Sequence, residues 1–303
     1  MNILCSCDAN YVPYCGIMLT SLFENNKDYS IDVYLFCNNK KVDTTQLLLL
    51  AKNYRQKIHI VNIDDGLVDG FPIKNTDYIT KAAYYRLFAA DYLPNIVDRV
   101  LYLDCDIIIN KSLSMLYDTD LTDYSTAVVL DCNYYKEDRN QKLGVEEPNI
   151  YFNSGVLLIN MNYWRANRVL NKFIQYNNNH SHLLDTHDQD LLNVVLQGSV
   201  KYMSIEYNYQ TGFLNKTNLA KYDEGLRMEI KTVPTTNIIV WHFSTAVKPW
   251  NCWYFAYPHK KVWDKYKKIS LWKDWKIEQP ILLRLRCRTL SLLYALGLKK
   301  KDF

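Results

Sequence analysis

No CxxC pair occurs among the eight cysteines, which excludes a zinc ribbon and a thioredoxin-like redox motif. Cysteines 5, 7, 15, 37, 105, 132, 252 and 287 lie mostly within apolar, strand-like runs. That placement reads as buried free thiols in a reducing compartment. No uncharged run reaches the roughly 18 residues that a bilayer span needs. The opening Met-Asn-Ile-Leu-Cys-Ser-Cys-Asp lacks a basic segment, and its apolar stretch is too short for a secretory signal. Low-complexity tracts and short-period repeats are also missing. These absences predict a soluble or peripheral, cytoplasmic protein.

What is present is a globular composition, 49% hydrophobic and 22% charged over 303 residues, enough to bury a large core. The 25 tyrosines suit amphipathic grooves. The net charge of +4 is unevenly distributed: residues 260–303 carry +9 and residues 1–259 carry −5. An acidic body and a basic tail are expected to meet different partners.

Residues 3–7, 31–37 and 58–63 read as strands, with helices over 13–23 and 44–54 between them. A helix over 80–90 precedes the apolar run 99–110, read as one strand. Further strands are expected at 126–130, 154–160 and 238–243, and helices at 164–176 and 189–196. The stretch 200–236 has no clear assignment. Alternating strands and helices imply parallel pairing and a doubly wound, mostly parallel α/β sheet. A change of texture to Trp, Lys and Pro places a boundary near 258. The expected division is a catalytic domain over 1–258 and a basic, aromatic C-terminal helical segment over 259–303.

Within the run 99–110 stand Asp104 and Asp106. Ligands of open α/β sheets gather at the carboxyl ends of strands, where Asp8, Asp104 and Asp131 are expected to share a rim. Strand alternation would aim Asp104 and Asp106 at one point, and two such carboxylates repel unless a cation separates them. Oxygen ligation favours Mg2+ or Mn2+. For the pair taken alone, capping or an Asx-turn is the favoured explanation. His242 at a strand end offers a third ligand, or is a core histidine. Lys248 offers a point charge to a phosphate. Gly155 permits close backbone approach or marks a bulge. Asp188 is a good N-cap for the helix it opens.

Six stretches together resemble the family 8 glycosyltransferases, in particular the bacterial lipooligosaccharide and lipopolysaccharide galactosyltransferase and glucosyltransferase type. They are Cys-Asp-Ala-Asn-Tyr (7–11), Tyr-Tyr-Arg-Leu (84–87), Leu-Tyr-Leu-Asp-Cys-Asp (101–106), Phe-Asn-Ser-Gly-Val-Leu-Leu-Ile-Asn (152–160), Asp-Gln-Asp-Leu-Leu-Asn (188–193) and His-Phe-(x)4-Lys-Pro-Trp (242–250). They occur in family order across residues 1–255. The resemblance implies a GT-A fold and a hexosyltransferase using UDP-galactose or UDP-glucose, with retention and Mn2+ (or Mg2+) dependence. Asp104, Asp106 and His242 would hold the metal. Ser6, Asp8, Asn10 and Tyr11 would line the nucleotide, and Lys248 the diphosphate. Arg86, Asn153, Ser154, Asp188 and Gln189 would surround the donor sugar. Asp188 and Gln189 are the catalytic candidates: Gln189 through its carbonyl oxygen, Asp188 through a covalent route. Cys105 belongs to the binding motif by position, although alternation turns its side chain toward the core. Thr245 stands where the family usually has glycine, beside the diphosphate. A front-face substitution is implied, since no clear nucleophile is visible.

The acceptor implied is a lipopolysaccharide-type or other cell-surface saccharide, with Asp131 and residues 132–149 along its site. The tail, with lysines interleaved among Trp263, Trp272 and Trp275 and a Leu-rich run from 281, reads as an anchor on the anionic cytoplasmic membrane face. A helix packed on the catalytic domain explains it as well. No nucleic-acid motif accompanies those charges. The competing functions are an Asp-x-Asp phosphohydrolase and a non-catalytic sugar-nucleotide binding protein.

Overall fold

The structure, a computed structural model, describes residues 1–73, 80–145, 147–245, 248–250, 259–276 and 281–296. Ten strands occur among these residues. They are β1 (Asn2–Ser6), β2 (Asp32–Cys37), β3 (Lys57–Asn62), β4 (Arg99–Leu103), β5 (Ile107–Ile109), β6 (Thr126–Leu130), β7 (Phe152–Asn160), β8 (Val200–Tyr202), β9 (Tyr209–Gln210) and β10 (Val240–His242). Seven form one sheet in the order β3-β2-β1-β4-β7-β6-β8, and three form a second in the order β5-β10-β9.

The inner strands are apolar on both faces because helices cover both. Ile3, Cys5, Leu35 and Leu101 face one layer of core, beneath the helix Val12–Asn25. Leu4, Phe36, Tyr102 and Leu157 face the other, with Trp164 and Phe173. β3 closes one edge with Lys57 and His59 exposed, which discourages further pairing. The six cysteines outside positions 252 and 287 are free and buried.

The doubly wound, mostly parallel sheet is as expected, with one reversal. β7 runs antiparallel to both β4 and β6. The chain returns from β6 through the short helix Glu137–Leu143 instead of crossing over the sheet. That reversal brings the beginning of β7 to the rim where β1, β4 and β6 end.

Four local expectations need correction. The run 99–110 is two strands, β4 in the large sheet and β5 in the small one, separated at Asp104–Asp106. The helix expected over 80–90 is a 3-10 stretch, Lys81–Phe88, followed by one α turn, Ala89–Tyr92. Its three-residue repeat sets the Ala83 carbonyl beside Arg86, whose Nε donates to it at 2.9 Å. The helix expected over 164–176 is broken into Met161–Ala166 and Val169–His180, where Arg168 takes a φ of 48°. The strand expected over 238–243 is shortened to β10.

The boundary near 258 lies outside the described residues. Beyond it, the helix Lys260–Ile269 lies against Val12–Asn25, and Trp263, Tyr266 and Trp272 join the core. Asn25 Nδ2 donates to the Tyr266 hydroxyl at 2.8 Å. The Trp272 ring lies over Gly16, where a Cβ would stand 1.9 Å from its Cζ3. Gly16 is therefore a seat for tryptophan. Burying each of these three rings is worth about 1.5–3 kcal/mol by area bookkeeping. Two of the three tryptophans read as interfacial are thus core residues.

Candidate active site

Asp8, Asp104 and Asp131 follow β1, β4 and β6, three parallel strands, and so share one rim. Asp104 and Asp106 converge because the chain changes sheets between them, not because they alternate along a strand. Asp104 N donates to the Gly155 carbonyl at 2.9 Å, holding this end of β4 to β7. Phe243 N donates to the Asp106 carbonyl at 3.0 Å, continuing the antiparallel β5–β10 ladder in which His242 faces Ile107. The ladder delivers a histidine 136 residues distant to the two carboxylates.

Lone-pair accounting defines the cradle. Asp104 Oδ1 accepts from Tyr102 Oη at 2.7 Å and Arg86 Nη2 at 2.9 Å. Asp106 Oδ2 accepts from Lys248 Nζ at 2.6 Å. His242 Nδ1 lies 2.8 Å from Asn208 Oδ1. The remaining atoms face one another: His242 Nε2 stands 3.4 Å from Asp106 Oδ1 and 3.9 Å from Asp104 Oδ2. One ligand atom from each of the three residues lies within 4.8 Å of the others. A Cβ on Gly155 would come within 2.4 Å of His242 Cε1 and 2.7 Å of Asp104 Oδ2. Two carboxylate oxygens and one imidazole nitrogen are a donor set that suits a divalent cation. Burial alone would raise the Asp106 carboxyl, but Lys248 and His242 outweigh it and hold it below the ordinary carboxylate range. It is thus kept ionised, as a ligand must be.

Arg86 organises the neighbouring wall. Its side chain is 5% exposed. It donates to Ser154 O at 2.6 Å and stacks over the Tyr102 ring at 4.1 Å. Its Nε lies 3.2 Å from Asp188 Oδ2, yet that oxygen is buried without a hydrogen-bond partner. Asp188 is therefore not the N-cap expected of it. The cap position is His187, held at a φ of 56°, and Asp188 is the first residue of the helix Asp188–Leu196. Asp190 does the local work instead, accepting from Asp185 N at 2.6 Å and Thr186 N at 2.7 Å.

Burial pushes the Asp188 carboxyl up to about 6, opposed by Arg86 and reinforced by Asp104. A 13C titration of that carboxyl is expected to centre near pH 6; a midpoint at the ordinary value of ~3.9 would contradict this. The linked stability has a definite sign. An acid whose folded value is raised costs stability progressively as pH climbs from the ordinary carboxylate value to about 6, with no further change above.

Gln189 is fixed through both ends of its amide. Its Oε1 accepts from Ser154 N at 3.0 Å and Asn153 Nδ2 at 3.1 Å, and its Nε2 donates to Asp131 Oδ2 at 3.2 Å. Asp8 Oδ1 caps the 3-10 turn Ala9–Tyr11 through Asn10 N at 2.8 Å and Tyr11 N at 3.1 Å. Asn10 is exposed and Tyr11 half-buried, its ring tilted at 58° against Tyr14 with the centroids 5.1 Å apart. Burial, reinforced by Asp106, pushes the Tyr11 phenol up. Ser6 Oγ lies 3.2 Å from Tyr102 Oη, and Cys105 Sγ donates to Ser6 O at 3.3 Å from within the core. Thr245 is half-buried in the bend after β10. The two residues after it lie outside the described set.

Two residues of this site escape sequence reading. Tyr102 is lost in the apolar run of β4, and Asn208 in the unassigned stretch 200–236. Asn208 is completely buried. No local signal marks it, because its partners lie 34 and 55 positions away.

Residues 2–254 match Glycosyl transferase family 8. A Haemophilus influenzae protein is 32% identical over 69% of this chain, a match spanning 63% of that protein. The lipopolysaccharide 1,2-glucosyltransferase of Escherichia coli K12 is 28% identical over 90% of this chain and 79% of its own. The crystal structure of the galactosyltransferase LgtC with donor and acceptor sugar analogues superposes with a TM-score of 0.79 at 25% identity. That superposition covers 94% of this chain and 100% of LgtC. The rim, the sheet change at the carboxylates and the reversed β7 are thus the framework of a GT-A fold, and the chain belongs to glycosyl transferase family 8, as a glycosyltransferase.

Proposed function

We propose that the protein transfers a hexose from UDP-galactose or UDP-glucose, with retention and with Mn2+ (or Mg2+), to a lipopolysaccharide-type or other cell-surface saccharide. The observation that carries this reading is the convergence of Asp104 Oδ2, Asp106 Oδ1 and His242 Nε2, each left facing the others once its companion atom is engaged. When bound there, the cation supplies Lewis-acid stabilisation of charge on the UDP leaving group. The similarity to a glucosyltransferase and to a galactosyltransferase supports both donors alike.

The protein's own groups take the following parts. Lys248, already beside Asp106, adds positive charge at the diphosphate. Tyr11 offers a ring to the base, and Asp8 and Asn10 offer polar atoms to the ribose and uracil. Asp188 Oδ2 is a buried acceptor that a sugar hydroxyl would satisfy. Gln189 holds a fixed amide on the sugar side, with Asp131 beyond it toward the acceptor. In a front-face substitution the acceptor oxygen bonds to the anomeric carbon on the face from which UDP departs. The acceptor's proton passes to the departing phosphate oxygen.

Isothermal titration of UDP with and without Mn2+, followed by an assay of UDP release, separates this reading from its rivals. Mn2+-dependent binding with release supports transfer; binding without release, across varied acceptors, supports a sugar-nucleotide binding protein. Tight UDP binding unaffected by chelation would contradict the metal assignment.

The C-terminal helix Ile281–Ala295 is read as an attachment to the anionic, cytoplasmic face of a membrane. Ile281, Leu285, Leu292 and Leu296 are exposed and fall within about 60° of one another at helical spacing. Arg288 is exposed beside them, and Arg286 is exposed farther round the helix. No helix among the described residues is long and apolar enough to cross a membrane. Removing residues 281–303 spares the buried Trp263, Tyr266 and Trp272, and is expected to abolish sedimentation with phosphatidylglycerol vesicles. Unchanged sedimentation would defeat the idea.

A further inference from the structure

His242 can offer Nε2 as a ligand only if its proton sits on Nδ1, because a neutral imidazole has one donor and one acceptor. The structure shows what puts it there. The Gly155 backbone N, a donor only, lies 3.0 Å from Asn153 Oδ1. That oxygen is therefore an acceptor, and Asn208 Nδ2 donates to it at 2.9 Å. The other end of the Asn153 amide donates to Asp131 Oδ2 at 3.1 Å, an acceptor when ionised. Both ends of the Asn153 amide are fixed by groups whose roles do not switch. With its NH2 committed to Asn153, Asn208 presents Oδ1 to His242 at 2.8 Å. Proton direction thus runs one way, from His242 Nδ1 to Asn208 and from Asn208 to Asn153.

Position reinforces the role. Asn208 is completely buried and immediately precedes β9, which pairs in parallel with β10 so that Gln210 faces His242. A buried amide with both functions matched is held in place by the sheet that carries the histidine. The relay also continues to the sugar side, since Asn153 Nδ2 donates to Gln189 Oε1 at 3.1 Å.

We propose that Asn208 is a positioning residue that sets the His242 tautomer, through Asn153 and the Gly155 backbone amide, and so presents Nε2 as a metal ligand. The proposal rests on the metal reading above, but its first readout does not need the metal. In 15N-histidine NMR of the full chain without metal, recorded at a pH high enough to leave the imidazole neutral and with His242 assigned by His242→Gln, the wild type is expected to carry its proton on Nδ1. Asn208→Leu, which has no acceptor, is expected to move His242 toward the Nε2–H tautomer and to weaken Mn2+ binding, measured by isothermal titration, by about 10–100-fold. Asn208→Asp keeps an acceptor for Nδ1–H and is expected to retain the wild-type tautomer and Mn2+ affinity within a few-fold. Leucine and aspartate both nearly match asparagine in shape, so an Asn208 that merely filled space would leave the tautomer and Mn2+ affinity unchanged in both variants.

A wild-type His242 protonated on Nε2 overturns the proposal by itself, even if the leucine variant fails to fold. So does an unchanged tautomer in a folded Asn208→Leu. If the tautomer shifts as expected but the wild type binds no Mn2+, the positioning role stands and the metal reading fails.

Discussion

Replacing Gly155 with alanine is expected to abolish Mn2+ binding and UDP-sugar turnover together. β7 places the Gly155 Cα so close to the cradle that a methyl group would meet His242 Cε1 at 2.4 Å and Asp104 Oδ2 at 2.7 Å. Neither neighbour can yield cheaply. His242 is 3% exposed and tied to Asn208, and Asp104 is tied through Oδ1 to Tyr102 and Arg86. The methyl group must therefore push the imidazole and the carboxylate apart, or shift β7 away from β4. Overpacking of this kind costs about 1–3 kcal/mol, which a domain of this size survives. The expected result is a folded protein, by circular dichroism, with no detectable Mn2+ heat. Wild-type Mn2+ affinity in Gly155→Ala would show that the cradle is not where the ion binds. The glycine is needed for space: Gly144 and Gly198 are the described glycines with positive φ, and Gly155 is not among them.

The second large effect is expected at Arg86. Its guanidinium sits between Asp104 and Asp188, donates to Ser154 and Ala83, and lies over the Tyr102 ring. Arg86→Leu would leave two close carboxylates without their common cation, and Asp188 is only 4% exposed. Breaking a buried ion pair by removing one partner costs about 3–5 kcal/mol. Thermal unfolding is expected to fall by roughly 5–10 °C, and UDP-sugar turnover to be lost. Arg86→Lys keeps the charge but cannot reach all four partners from one ammonium, so an intermediate melting temperature is expected. A melting temperature unchanged in Arg86→Leu would mean that Asp104 and Asp188 do not depend on the arginine.

Much of the framework was legible because its signals are local. Runs such as Ile3–Cys7 and Thr126–Leu130 are apolar on both faces, which is what a sheet covered by helices on both sides requires. The cradle was legible only in part. Asp104, Asp106 and His242 are marked by the motifs that carry the family resemblance. Their convergence, however, depends on a change of sheet inside a run whose apolar residues continue on both sides of the break. Periodicity cannot show such a break. The reversal of β7 was hidden for a similar reason: a buried strand looks the same in either direction.

Asn208 was out of reach because its meaning lies in partners far along the chain. Trp263 and Trp272 were misleading in another way. Aromatic residues among lysines look alike whether the rings meet a membrane or a neighbouring helix, and here Gly16 provides the seat. Asp188 read as a cap because an acid at a helix start ordinarily is one; the positive φ at His187 turns it toward Arg86 instead.

The most direct test of the whole account is UDP release from UDP-galactose and UDP-glucose at fixed Mn2+, with a saccharide acceptor and the full chain. Chelation and Asp106→Ala serve as paired controls. Release is expected from at least one of the two donors, lost on chelation and restored by Mn2+, and reduced by roughly 100-fold or more in Asp106→Ala. Full turnover by the Asp106→Ala protein would contradict it.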